Sequence, residues 1–445
     1  MAAWKLPGEL SQWITNLSSP LDRRHAWRLL PLMVGMLFAS GRRTVASWLR
    51  GAGIGKGFQQ FYYFLGSLGS QTEFLASLVL RKAATVLPMG DRLLLGLDDT
   101  PTKRYGPLVE GAGIHHNPTP GPADHKFLYG HIWVTLAWIV RHPLWGAIGL
   151  PLRAFLYVRH KDIRKLMPWY RIRFQTKLQQ AAALVSWAAQ WLKYLGKILW
   201  VVVDGAYAKR VFLKAARAAR VIVVSRLRKD AALWSVPEPG PRDAGKKRGR
   251  PRIYGQQKLS LAKRAAHAKG WQIIEVVQYS KQVSKTYKTF LATYKPAGGL
   301  IRVVLVREVD GWVAFFCTDP EAPVTAILEA VADRATIEQD FKDIKEVHGI
   351  GQQQVRNYWA NVGVYHLGLW LHTLIELWSW AKSHTRLVRR ERSPWDDASR
   401  RPSHADRRNA LRRQCLQEEF RQHQRRRPLT RKIHWLLRRL VELVV

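Results

Sequence analysis

Arg92-Leu93-Leu94-Leu95-Gly96-Leu97-Asp98-Asp99-Thr100-Pro101 decides how this 445-residue chain is read. A continuous apolar run of strand length that stops at carboxylates reads as a buried strand. Ile198-Leu199-Trp200-Val201-Val202-Val203 stops in the same way, at Asp204-Gly205. Between them lie two further strand-like runs, His131 to Val140 and Trp145 to Val158, and a long amphipathic helix expected over 171–196. In that helix Phe174, Leu178, Ala181, Val185, Ala188 and Leu192 recur at alternating steps of four and three. Val221 to Ser225 supplies another buried strand. Acids just past strand ends are held rigidly at a sheet edge, where they can converge on a cation. Each Asp can equally well cap the turn that follows it. The apolar run does not tell which of Asp98 and Asp99 faces such a site.

Working outward, residues 1–88 read as helical, without alternating strands. Arg42-Arg43-Thr44-Val45-Ala46-Ser47-Trp48-Leu49-Arg50, then Gly51-Ala52-Gly53-Ile54, then Phe58 to Leu65 gives helix, Gly-containing turn, helix. That is the layout of a helix-turn-helix with Arg42 and Arg43 ahead of it for DNA, and also of a packed helical hairpin. A Pro-, Gly- and Lys/Arg-rich break from Pro237 to about Gln257 reads as a flexible basic loop carrying Arg248, Arg250 and Arg252. Trp271 to Asp319 alternates like strands, and helices return over 321–381. In residues 382–445, 19 Lys and Arg face 7 Asp and Glu, which reads as a basic tail, helical near Ile433 to Val444 and otherwise partly disordered. The boundaries are therefore a helical DNA-binding region at 1–88, an α/β domain at 89–381 with a β-rich insertion at about 230–320, and the tail at 382–445.

The balance of 72 Lys and Arg against 32 Asp and Glu leaves a formal net charge of +40. Such an excess speaks about partners, and a polyphosphate is the natural one, because neutralising phosphates releases condensed counterions. Cys317 and Cys415 show no metal-ligand spacing, which argues against a disulfide framework or a cysteine zinc site and fits a reducing cytosol. Met1 to Leu10 carries Lys5 and Glu9 and no apolar core, so no secretory leader is expected. Trp359 to Ala381 is long and apolar, yet Asn361, His366, His372 and Glu376 interrupt it, so it reads as a buried core helix and no membrane partner is expected.

Arg334, Glu338 and Lys345 complete the pattern. At about 100° per residue they fall within roughly 40° of one another on one helix face, while Asp333, Asp340, Asp343 and Glu346 point away. A row of this kind can be an ordinary surface ion-pair row. It also brings one metal-binding carboxylate and two phosphate clamps to the same DNA strand.

Arg334-x3-Glu338-x6-Lys345 resembles the Tyr-x2-Arg-x3-Glu-x6-Lys signature of a branch of bacterial insertion-sequence DDE transposases. Asp99-Thr100 behind an acidic residue resembles that family's first catalytic Asp, and Val202-Val203-Asp204-Gly205 its second. The signature Tyr would fall at Val331, a departure from the pattern that leaves the grip on the transferred end unaccounted for. The resemblance implies a ribonuclease-H-like α/β fold, a mixed sheet flanked by helices. It implies Asp99, Asp204 and Glu338 as catalytic ligands of two Mg2+ ions, with Mn2+ as a substitute, and Arg334 and Lys345 on the DNA phosphates. It further implies double-stranded DNA partners (terminal inverted repeats and target), a homodimer at the paired ends, and a cytoplasmic, nucleoid-associated location. Arg248-Gly249-Arg250-Pro251 resembles the core of an AT-hook, against the simpler reading of non-specific phosphate contact. Trp312 lies near where related transposases stack a Trp on a displaced base, and a strand Trp is also an ordinary core residue. The rival expectation is a DNA-binding regulator or end-binding protein of the same descent without nuclease activity.

Overall fold

The computed structural model describes residues 4–117, 125–237, 252–389, 395–397, 399–426, 433, 437 and 440. The leucine run becomes β1 (Arg92–Lys103), paired antiparallel with β3 (Phe127–His142) and parallel with β5 (Ile198–Val203). β3 also carries β2 (Gly113–His116) and β4 (Gly146–Tyr157), and β5 continues in parallel to β6 (Ile222–Leu227). Beyond β6 the same sheet runs without interruption into the expected β-rich insertion. Its members are β7 (Leu233–Trp234), β8 (Lys258–Leu259), β9 (Gln272–Gln278), β10 (Lys281–Tyr294), β11 (Gly299–Glu308) and β12 (Gly311–Cys317). The order is β2-β3-β1-β5-β6-β12-β11-β10-β7-β8, with β4 on β3 and β9 on β10. This twelve-stranded mixed sheet flanked by helices is the ribonuclease-H-like arrangement.

β1 does not end at its acids. β5 stops opposite Leu97, whereas β1 stays paired with β3 as far as Lys103, with Asp98 opposite Thr135 and Asp99 opposite Val134. The apolar pattern breaks because the parallel neighbour is lost, not because the strand is. Pro101 is tolerated there because β1 has by then become an edge on one side.

Alternation along β1 fixes the two faces. Leu93, Leu95 and Leu97 join a core with Leu184, Val185 and Ala188 of α8 (Lys177–Leu192) and Phe212 and Leu213 of α9 (Arg210–Ala218). Leu94 turns to the opposite core, with Trp200, Val202, Ile327, Ile337 and Phe341. That core is roofed by α11 (Val324–Asp333) and α12 (Ala335–Glu346). The helix expected over 171–196 is shorter, since Thr176 and Gln179 form a capping box that starts α8 at Lys177, leaving Phe174 in front of it and part-exposed. α7 (His160–Ile163) precedes it, and α10 (Leu261–Ala266) lies in the insertion.

The N-terminal region is helical: α1 (Gly8–Ser18), α2 (Arg23–Ala26), α3 (Leu29–Phe38), α4 (Val45–Gly51), α5 (Gln59–Ser70) and α6 (Thr72–Val86). Its apolar residues belong to one continuous core with those of α13 (Tyr358–Ser379). α5 and α13 cross where Gly69 faces Gly363, so close that a Cβ on either would collide with the other helix's backbone. α13 is buried along its length except at Trp359, as expected of a core helix, and no described helix is long and apolar enough to cross a membrane. The expectation for 382–445 needs correction. After α14 (His384–Leu387), residues His404–Arg426 form α15, which packs on α13 and buries Leu411, Cys415 and Leu416. Its high charge hides a narrow apolar stripe, and two of its arginines, Arg407 and Arg408, are themselves buried. Most of the segment Ile433 to Val444 lies outside the described residues.

Candidate active site

α12 lies against β1 at Gly96, where any side chain would run into Ile337. This close approach brings Arg334, at the bend between α11 and α12, over the next residue of the same face, Asp98. The Arg334 guanidinium donates to Asp98 Oδ2 at 2.6 Å and to Glu338 Oε1 at 2.8 Å. Asp204 follows Val203, which pairs with Leu97, so Asp204 comes level with Asp98. Burial pushes the Asp98 carboxyl up to about 6; Arg334 opposes that, and the neighbouring charges of Asp99 and Asp204 add to it. Asp204 is exposed and its Oδ2 accepts from Ala206 N at 3.4 Å, while the Glu338 side chain is 61% exposed. Two residues along from Asp98, Lys345 Nζ donates to Thr100 Oγ1 at 2.6 Å, and burial lowers this amine to about 8.

Asp99 points the other way. Its carboxylate accepts from Lys177 Nζ at 2.6 Å and from the Tyr207 hydroxyl at 2.7 Å, on the face covered by α8 and α9. Burial first, then the Asp99 charge, raises the Tyr207 phenol well above its ordinary range. Of the residues singled out from sequence, Arg334, Glu338 and Lys345 thus share a face with Asp98, Asp204 stands level with Asp98 past the end of β5 with its charge felt by both Asp98 and Tyr207, and Asp99 faces away. Tyr207 and Lys177 carried no signal in the sequence. Their roles depend on which side of the strand Asp99 takes.

The donor set suits a hard divalent cation, because oxygen is the only ligand atom offered and Mg2+ binds through one or two carboxylates while keeping waters and substrate phosphates. A single guanidinium bridges Asp98 and Glu338, and Asp98 stands within reach of the charges of Asp99 and Asp204, so carboxylates outnumber the cations bound to them there.

The remaining candidates are scattered. Arg43 packs on the far end of α12, its backbone N–H donating to Gln352 Oε1 at 2.8 Å and its guanidinium to Glu346 O at 3.4 Å. Arg42 is exposed and lines a cavity with Arg104 and Arg356. Trp312 is half-buried against the core, with Lys229 Nζ 5.2 Å from its ring centre. Arg252 is exposed, and Arg248 and Arg250 lie outside the described residues.

Residues 16–288 match the family model described as DDE superfamily endonuclease. The match takes in both strand acids and stops before α12. No curated protein matches the chain.

Proposed function

Since the chain belongs to the DDE superfamily of endonucleases, we propose that it is a DNA transposase that frees a 3′-hydroxyl at the ends of a mobile element and joins it to target DNA. Asp98, Asp204 and Glu338 hold two Mg2+ ions in this reading, with Asp98 taking the part that the sequence had offered to Asp99. The observation that carries it is the Asp98–Arg334–Glu338 bridge, which ties the strand acid to the helix acid, with Asp204 level with Asp98 on the next strand. The spacing of Arg334, Glu338 and Lys345 supports the insertion-sequence branch, and a homodimer acting on paired ends fits that branch.

Bound divalent ions supply charge stabilisation for the attacking and leaving oxygens of an in-line phosphodiester displacement. The protein's part is positioning. Arg334 is held between two carboxylates, and once their charge is neutralised its planar fork is released to grip a phosphate of the scissile strand. Lys345, whose amine burial lowers to about 8, would be held firmly cationic beside a phosphate and anchor the strand two residues from Asp98.

The test is release of 3′-hydroxyl ends, and their joining to a second duplex, from a labelled fragment carrying the element's own termini in Mg2+. Tight binding to those termini without cutting in any divalent ion would overturn this function in favour of an end-binding regulator. DNA affinity is expected to fall by on the order of a thousandfold or more between about 50 and 200 mM salt, as counterion release requires of a protein with many phosphate contacts. Filter binding across that range checks it, and a nearly flat dependence contradicts a phosphate-gripping surface.

A further inference from the structure

Behind the catalytic helix lies a second cluster that the transposase reading does not use. His348 follows the end of α12, His372 lies in the middle of α13, and His404 opens α15. All three are buried, at 0%, 2% and 3% exposure. Their ring nitrogens come within 4.8 Å of one another, which among the described residues no other trio of metal-ligating side chains does.

The hydrogen bonds leave these rings badly served. His404 Nδ1 lies 2.7 Å from Glu376 Oε1, so its proton is committed there and its Nε2 offers a lone pair. His348 Nε2, 2.8 Å from that nitrogen, must then carry the shared proton, which leaves His348 Nδ1 bare. His372 Nε2 faces Asp340 Oδ1 at 3.4 Å, and its Nδ1 is bare as well. His348 Nδ1, His372 Nδ1 and Asp340 Oδ2 are buried atoms with no hydrogen-bond partner, each a cost of about 1–3 kcal/mol for an unsatisfied buried group.

We propose that His348, His372 and His404 form a structural site for a transition-metal dication of the zinc class, which fastens α15 to the back of the helix carrying Glu338. Carboxylates stand behind two of the three rings, Glu376 behind His404 and Asp340 beside His372, in the carboxylate–histidine–metal relation that orients a ligand and raises its basicity. His404 Nε2, His348 Nε2 and His372 Nδ1 are the ligand atoms. Nitrogens about 2.0–2.1 Å from a tetrahedral ion sit roughly 3.3 Å apart. The His348–His404 pair therefore opens slightly, and the His348 proton passes to its bare Nδ1. His372, stacked on His404 with ring centres 3.9 Å apart, turns its Nδ1 inward. A cavity of about 240 Å³ lined by His372, His404, Asp340 and Glu376 gives the ion a way in and leaves room for water as the fourth ligand. The surrounding charges are Asp340, Asp343 and Glu376 against Arg401, Arg407 and Arg408, which balance before an ion enters, and Asp340 and Glu376 are the acids in direct contact with the ligand rings. Imidazole ligands select zinc-class ions, and hard Mg2+ prefers oxygen, so the two sites sort different metals.

The full-length chain, stripped with chelator, is titrated with Zn2+ and separately with Co2+. Stoichiometric tight binding, a higher melting temperature and the intense visible absorption of tetrahedral Co2+ are expected. All should persist in Glu338→Gln, which lacks an acid of the candidate active site. His372→Gln and His404→Gln should each weaken Zn2+ binding by roughly a hundredfold or more. The proposal fails if the wild type shows no stoichiometric Zn2+ binding and no change in melting. It fails equally if binding is lost in Glu338→Gln, or is unaffected by both histidine substitutions. The wild-type titration is decisive by itself, so a variant that does not fold cannot rescue or shield the proposal.

Discussion

Asp98→Asn is expected to abolish Mg2+-dependent cleavage, and Asp99→Asn to leave most of it. Alternation along β1 turns Asp98 toward Arg334 and Glu338, while Asp99 is occupied by Lys177 and Tyr207 behind the sheet. An amide keeps the shape of the carboxyl and removes the charge that a hard cation binds. Loss of a metal's stabilisation of the transition state, several kcal/mol, corresponds to roughly a thousandfold or more in rate. Asp204→Asn and Glu338→Gln should match Asp98→Asn, and in all three variants binding to DNA ends should persist, because phosphate contacts come mainly from Lys and Arg. Rates of 3′-hydroxyl release from a labelled terminal fragment measure the effect. If Asp99→Asn were dead and Asp98→Asn active, the face assignment would be reversed.

The largest effect on stability is expected at the crossing of α5 and α13. A Cβ at Gly69 meets the Trp359 carbonyl, and one at Gly363 meets the Leu65 carbonyl, so neither clash can be relieved by turning a side chain. Overpacking usually costs about 1–3 kcal/mol and more where backbone must move. Gly363→Val should therefore lose about 3 kcal/mol or more, read as a lower midpoint in urea denaturation. Gly66→Ala on the same α5 is the counter-case, since only Asn357 Oδ1 at 3.9 Å comes near. It should gain about 0.5–1 kcal/mol from helix propensity alone. Equal stability of the two variants would show that the helices can separate without penalty.

Much of this fold was legible in the sequence, for reasons that differ by element. Leu93 to Leu97 and Ile198 to Val203 announce buried strands because both of their faces are covered. α13 announces itself because polar residues inside a long apolar run belong in a core and not in lipid. The strand's true end was hidden, since pairing with β3 outlasts the apolar pattern by six residues, from Asp98 to Lys103. The choice between Asp98 and Asp99 was hidden for a related reason: a run apolar at every position has no period of two from which to read a face. Arg334 and Glu338 were legible from helical spacing alone, and they do meet. α15 was not, because buried arginines such as Arg407 and Arg408 look in a sequence like solvated ones.

The seam between α5 and α13 also sets a timetable for the newborn chain. α5 is synthesised early, yet the helix whose backbone it must touch begins roughly 290 residues later. At about 5–20 residues per second that is a delay on the order of 15–60 s, during which α5 has earlier neighbours such as Trp27 beside Phe61 but lacks the helix that meets it at Gly69. The seam at Gly69 therefore cannot close until α13 has been made. Among the described residues, the last long apolar helix to emerge is the one that completes the packing of the first.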